Sequence, residues 1–194
     1  MSEILGLKAL NGVVQAPLEG RRPKPRECGL TMVIDKGLGL SETTDLMAMG
    51  ADYVDIVKIS FGTAALYPLE TLHAKIRIIR SHGVTVCPGG TLLEVALMQN
   101  RLSQFLGRIA SLGFNAVEVS DGTIQMSAAR RGAVITAVLD AGFDVITEVG
   151  KKDPTQHLPP EEVVDRVRFD LDYGAKLVIL EARESGKGVG IFAG

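Results

Sequence analysis

One phrase recurs along the 194-residue chain and limits what it can fold into: a helix end, a glycine, then a short β-branched run. It occurs at Met49-Gly50-Ala51-Asp52-Tyr53-Val54, His82-Gly83-Val84-Thr85-Val86, Leu112-Gly113-Phe114-Asn115-Ala116-Val117, Ala141-Gly142-Phe143-Asp144-Val145-Ile146 and Tyr173-Gly174-Ala175-Lys176-Leu177-Val178. The glycines lie 29 to 33 residues apart. Glycine just past a helix takes the left-handed conformation that a Cβ would disfavour. Apolar runs at 33–34, 54–59, 84–87, 116–119, 145–149 and 177–180 read as strands. They are nearly continuous rather than alternating, the mark of a sheet covered on both faces. Between them lie stretches with helical apolar spacing, such as Leu66, Leu69, Leu72, Ile76 and Ile79.

A βα unit of about thirty residues, repeated, requires right-handed crossovers and a parallel sheet. The period suits a (β/α)8 barrel of the TIM type best, with an open doubly wound sheet as second choice. Six strands and at most six helices are countable, whereas a complete barrel takes about 250 residues. The expectation is therefore an α/β barrel truncated after about six units. Residues 1–28 form a lead-in segment and 29–194 the barrel domain.

Composition narrows the function classes. Lys plus Arg is 21 and Asp plus Glu is 23, a net charge of −2, so no global field grips nucleic acid or an anionic membrane. Cys28 and Cys87 form no metal or redox motif, and His73, His82 and His157 do not cluster. With no signal sequence and no long apolar run, the chain reads as soluble and cytoplasmic.

In parallel α/β folds ligands meet the carboxyl ends of the strands. Every such end here carries charge or glycine. Glu118, Glu148 and Glu181 leave strands four, five and six at matching depths. Three buried acids repel one another, and a hard divalent cation, Mg2+ above all, would resolve the conflict. The alternative is that each acid pairs with a neighbouring Lys or Arg. Lys36, Lys58, Lys151, Lys152, Arg183 and Lys187 form a basic set suited to a small, multiply anionic substrate. Alternation along strand five puts Glu148, Gly150 and Lys152 on one side and Lys151 on the other.

Pro88-Gly89-Gly90-Thr91-Leu92-Leu93-Glu94 reads as a glycine turn entering a capping box, with Thr91 as N-cap and Glu94 at N3. Its free N–H groups are a possible anion site. Ser185-Gly186-Lys187-Gly188 is not a Walker A loop, and Gly37-Leu38-Gly39 lacks the third glycine of a dinucleotide fingerprint.

The strand-end phrases, taken in order, resemble the phosphosulfolactate synthase family. They are Asp35-Lys36-Gly37, Val57-Lys58, Pro88-Gly89-Gly90-Thr91-Leu92, Val117-Glu118-Val119-Ser120-Asp121-Gly122, Glu148-Val149-Gly150-Lys151-Lys152 and Glu181-Ala182-Arg183-Glu184-Ser185-Gly186-Lys187-Gly188. The resemblance implies a (β/α)8 barrel, Mg2+ dependence and addition of sulfite to phosphoenolpyruvate, giving (2R)-phospho-3-sulfolactate for coenzyme M or sulfolactate formation. It implies Mg2+ on Glu118, Glu148 and Glu181, with Lys152 as proton donor beside Lys151. Lys36, Lys58, Arg183, Ser185 and Lys187 would bind the substrate anions. Two other readings compete: a Schiff-base aldolase using Lys151 or Lys152, and a truncated barrel without catalysis. Homo-oligomerisation through exposed strand edges is a further expectation.

Overall fold

β-Branched and apolar residues favour the pleated, two-sided burial of a parallel sheet, and six strands form where those residues cluster. The computed structural model describes residues 9–10, 13–14, 22–60, 62–150 and 158–181. The chain divides into two units, Met1–Leu30 and Thr31–Gly194. In the first, Arg26 Nη1 donates to the Arg22 carbonyl at 3.0 Å, and the Lys24–Pro25 peptide is cis.

The second unit runs β1 (Met32–Asp35), α1 (Leu40–Gly50), a 3-10 turn (Ala51–Tyr53), β2 (Ile56–Ile59), α2 (Thr63–Leu66), α3 (Leu69–Ser81) and β3 (Thr85–Pro88). It continues with α4 (Gly90–Met98), α5 (Leu102–Leu112), β4 (Ala116–Val119), α6 (Ala128–Asp140), β5 (Asp144–Val149), α7 (Pro160–Asp172) and β6 (Leu177–Leu180). The described residues thus hold more helices than the apolar spacing suggests. Tyr67-Pro68 ends α2 in extended backbone, and Pro68 then leads into α3. The third crossover breaks into α4 and α5 at Asn100, whose φ of 55° no helix continues through.

The strands pair in parallel, in the orders β1-β2-β3 and β4-β5-β6. Asn115 stitches the two ladders side by side: its N–H donates to the Val86 carbonyl at 3.3 Å, and its Oδ1 accepts from the Val86 N–H at 2.8 Å. Strand order therefore follows chain order. Right-handed crossovers that always advance in one direction put every helix on the same face of the sheet. That is the order of a barrel wall; a doubly wound sheet reverses direction partway. The described strands do not close into a barrel.

The two faces are buried differently. Val57, Ile59, Val86, Val117, Val119 and Val145 face the helices and join Leu72, Ile76, Ile79, Val134, Ile135 and Val138 in the main core. The opposite face carries a smaller apolar layer of Ile56, Cys87, Ala116 and Ile146, flanked by Met32, Leu177 and Ile179. Two residues further along their strands, and so on that same inner face, stand Lys58, Glu118 and Glu148. The chain has placed charge one pleat above an apolar floor.

Four of the five helix-end glycines behave as the phrase predicts: Gly83, Gly113, Gly142 and Gly174 have φ between 67° and 100°. Gly50 does not. Its φ is −118°, because α1 runs directly into the 3-10 turn rather than stopping at a left-handed residue.

Candidate active site

The inner-face charges meet at one ammonium group. Lys58 Nζ on β2 lies 2.7 Å from Glu118 Oε2 on β4 and 3.3 Å from Glu148 Oε2 on β5. On a flat sheet, β2 and β5 would be about 14 Å apart with side chains projecting in parallel. Their contact shows that the wall curves around its inner face. Glu118 and Glu148 are almost fully buried.

Register corrects the idea of matching depths. Glu118 aligns with Ile146, and Glu148 aligns with Ile179. Each acid along Glu118, Glu148 and Glu181 is therefore stepped two residues up from its neighbour. That stagger follows from strand tilt in a curved parallel wall.

Burial raises the Glu118 carboxyl above the usual carboxylate range, and Glu148 adds repulsion; the Lys58 charge and the Gly90 N–H oppose the shift. Lys58 is pushed down by burial, but its two acidic neighbours outweigh this and hold it above 10.5. Cys87, beside them in the floor, is driven far up by burial and by Glu118, so it is an inert thiol.

The start of α4 supports Glu118 from the side. Gly90 N–H donates to Glu118 Oε1 at 2.9 Å. A Cβ at Gly90 would lie 2.4 Å from Ser120 Oγ and 2.8 Å from Glu118 Oε1, so only glycine permits this approach. The capping-box reading is overturned here. The helix begins at Gly90 after Gly89, and the Glu94 carboxylate turns across to the β4–α6 loop instead. It accepts from the Gly122 N–H at 3.1 Å, the Thr123 N–H at 2.9 Å and the hydroxyls of Ser120 and Thr123. The Gly90 N–H is likewise committed to Glu118 rather than offered to an external anion.

Two buried cations brace the other loops. Lys75, inaccessible to solvent, pairs with Asp35 Oδ2 at 2.5 Å and donates to the Leu38 carbonyl and to Tyr67 Oη. Asp35 Oδ1 in turn accepts from the N–H groups of Gly37 and Leu38, fixing the β1–α1 loop. Arg131 on α6 grips Asp170 through two 2.6 Å bonds, reaches Asp121 at 3.3 Å and donates to the Glu148 carbonyl at 3.1 Å. Arg166 meets the other Asp121 oxygen at 3.3 Å. Loops after β4 and β5 are thereby tied to α6 and α7.

Of the residues singled out from sequence, Lys58, Glu118 and Glu148 come together. Lys36 is exposed at the end of β1. Glu181 follows β6, its Cβ against Gly150, where a side chain would come within 2.7 Å. Lys151, Lys152, Arg183, Ser185 and Lys187 lie outside the described residues. The alternation used to orient Lys152 assumes an extended chain, yet β5 ends at Val149 and Gly150 turns to φ 138°. Lys58, expected to bind substrate anion, is instead engaged by two carboxylates.

Among the described residues no group of three His, Cys, Asp or Glu side chains converges tightly enough to hold a metal ion. The donor chemistry nevertheless suits a hard cation. Glu118 and Glu148 bring two buried carboxylates within reach of one point at the strand ends, and hard cations take oxygen donors of this kind. Lys75 and Arg131 were not singled out from sequence, and Glu94 was read there only as part of a helix cap. Lys75 and Arg131 did leave a signal: each falls within its helix's apolar stripe, Lys75 with Leu72, Ile76 and Ile79, and Arg131 with Val134, Ile135 and Val138.

A parallel α/β wall in barrel order, with paired acids and a lysine at its strand ends, has the layout of a barrel-type enzyme, whose substrates meet the carboxyl ends of the strands. Comparison with known proteins names the family. A sequence model of the (2R)-phospho-3-sulfolactate synthase (ComA) family matches residues 19–194. The chain is 42% identical over 174 residues to the phosphosulfolactate synthase of Methanothermobacter thermautotrophicus, covering 89% of this chain and 67% of that one. It is 43% identical to that of Methanocaldococcus jannaschii over 84% of this chain and 66% of the relative. Against the Bacillus subtilis enzyme it is 36% identical over 87% and 66% respectively. The chain belongs to the phosphosulfolactate synthase family, and it spans about two-thirds of the length of these relatives.

Solved structures share the fold. A phosphoenolpyruvate phosphomutase from Streptomyces platensis superposes with a TM-score of 0.55 at 16% identity, over 78% of this chain and 59% of that one. A 2,3-dimethylmalate lyase of the PEP mutase/isocitrate lyase superfamily gives 0.51 at 18%, over 78% and 58%. No helix among the described residues is long and apolar enough to cross a membrane.

Proposed function

We propose that this chain forms (2R)-phospho-3-sulfolactate by adding sulfite to phosphoenolpyruvate, on a parallel wall of the (β/α)8-barrel type. The observation that carries the reading is the buried Lys58–Glu118–Glu148 cluster at the carboxyl ends of β2, β4 and β5, in a chain whose family performs this reaction.

Sulfite sulfur bonds to C3 of phosphoenolpyruvate, the C2–C3 π pair moves toward the carboxylate, and a proton then closes C2 to C–H. Glu118 and Glu148, joined by Glu181, would hold Mg2+, which when bound supplies positive charge for the enediolate-like carboxylate. The chain's own residues do the rest. The Gly90 N–H and the Glu94-braced loop fix Glu118, Arg131 fixes the backbone at Glu148, and the apolar floor beneath keeps water from the cluster. Lys152 is the proposed proton donor at C2, with Lys151 beside it, and Lys36, Arg183, Ser185 and Lys187 are the proposed anion contacts. Cys28 and Cys87 are unpaired thiols, as a cytoplasmic enzyme would keep them.

The test is a mass assay of the purified chain with phosphoenolpyruvate, sulfite and Mg2+, run beside Lys152→Ala and an EDTA control. Product that disappears in both controls supports the assignment of metal and proton donor. Product that persists in Lys152→Ala removes that residue from the chemistry.

A further inference from the structure

We infer that Lys75 is a positioning residue: acting through Asp35, it holds the β1–α1 loop so that Lys36 meets the anionic groups of the substrate already oriented. The inference deepens the proposed function and rests on its reading of Lys36 as an anion contact. Its first support is the cost of the arrangement. Lys75 is fully buried in the apolar stripe of α3, with Leu72, Ile76 and Ile79. Taking an ammonium and a carboxylate out of water is expensive, and well-packed apolar residues of similar volume often serve stability as well or better. Stability alone gives this helix no reason to carry a lysine there.

The second support is what the pair grips. The Lys75 ammonium meets Asp35 Oδ2 at 2.5 Å, Tyr67 Oη at 2.9 Å and the Leu38 carbonyl, which engages all three of its donors. Tyr67 Oη also donates to the Leu38 carbonyl at 2.8 Å. Asp35 Oδ1 accepts from the N–H groups of Gly37 and Leu38, each at 2.9 Å. The Asp35 carbonyl accepts from the Ser60 N–H at 3.0 Å and from the Ser60 hydroxyl at 3.2 Å. The backbone is thus clamped immediately before and after Lys36, whereas Lys36 itself is exposed at the carboxyl end of β1. Fixing the backbone before the ligand arrives leaves only side-chain rotamers to order on binding, which lowers its cost.

The test is phosphoenolpyruvate binding by isothermal titration calorimetry to the unaltered chain, Lys36→Ala, Lys75→Met with Asp35→Leu, and the three changes together. Replacing both members of the pair avoids stranding a buried charge. Lys36→Ala should weaken binding at least about tenfold, as loss of a charged hydrogen bond does. The pair replacement should weaken it about two- to tenfold, the ordering cost of one rotamer-rich side chain. In the Lys36→Ala background the same replacement should leave affinity unchanged, because the residue it positions is gone. A merely structural Lys75 would weaken binding equally in both backgrounds, and that result overturns the inference. So does an affinity that the pair replacement leaves unchanged when Lys36 is present. Unchanged affinity in Lys36→Ala removes Lys36 as an anion contact, and the inference with it, while the reaction assignment stands. No phosphoenolpyruvate binding by the unaltered chain overturns both. Should the replaced pair fail to fold, Tyr67→Phe takes its place, removing only the hydroxyl that braces Lys75 and Leu38. Its loss of affinity should appear only with Lys36 present; no loss, or equal loss in both backgrounds, contradicts positioning.

Discussion

Gly90→Ala puts the packing account under direct stress. The added Cβ would stand 2.4 Å from Ser120 Oγ, 2.8 Å from Glu118 Oε1 and 2.9 Å from Ser120 Cβ. Neither neighbour has freedom to yield. Ser120 Oγ is held by Glu94, and Glu118 Oε1 by the Gly90 N–H. Relief requires α4 to back away, which breaks the bond to Glu118. Overpacking costs about 1–3 kcal/mol, and losing a hydrogen bond to a charged group costs about 1.5–3 kcal/mol. The reduced entropy of the unfolded chain returns about 0.4–1 kcal/mol. The net is a loss of roughly 1.5–5.5 kcal/mol, or a Tm about 3–20 °C lower in a domain of this size. Gly107→Ala is the control. Gly107 is an exposed residue inside α5 with nothing within 4 Å of a built Cβ, so alanine should add about 1 kcal/mol and raise Tm by about 2–4 °C. Differential scanning calorimetry of both variants reads the difference. If Gly90→Ala melts at or above the Gly107→Ala temperature, the close approach of α4 to Glu118 is wrong.

Arg131→Met should cost about 3–5 kcal/mol in urea unfolding, because Asp170, fully buried, loses its bidentate partner. Adding Asp170→Leu should restore most of that loss, and a double variant as weak as the single would refute the charge argument. Burial and Glu148 raise the Glu118 pKa above 4.5, so stability linked to Glu118 is fully present below 4.5 and is lost as pH rises through the raised value. Urea unfolding should therefore show wild type gaining on Glu118→Gln as pH falls toward 4.5; a pH-independent difference contradicts the shift. Ile34 on β1 and Leu180 on β6 are 51% and 58% exposed on the outermost described strands. Sedimentation velocity should show self-association that Ile34→Lys with Leu180→Lys abolishes; a monomer before substitution would refute it.

The strands were legible because β-branched runs in a parallel sheet leave a dense local pattern, and all six fall within two residues of where that pattern puts them. The helix-end glycines were legible where the chain needs a left-handed residue, and Gly50 misled because a 3-10 turn made that conformation unnecessary. Glu94 could not have been read correctly. Thr-x-x-Glu is the same sequence whether the carboxylate caps its own helix or crosses to a loop 26 to 29 residues later. Glu118 and Glu148 were found through their strand ends, but their sharing of Lys58 depends on curvature that local sequence does not encode. Lys75 and Arg131 were hidden for a different reason. A cation in an apolar stripe reads as an interruption until its acidic partner, Asp35 or Asp170, is brought to it by the fold.

Glu118 and Glu148 are the proposed working centre of a sulfite-adding enzyme. 31P NMR of the chain with phosphoenolpyruvate, sulfite and Mg2+, beside Glu118→Gln and Glu148→Gln variants shown to be folded by circular dichroism, tests it most directly. The unaltered chain should give a new phosphomonoester resonance, formed at least about a hundredfold more slowly by either variant. Undiminished product in a folded Glu118→Gln variant would contradict it.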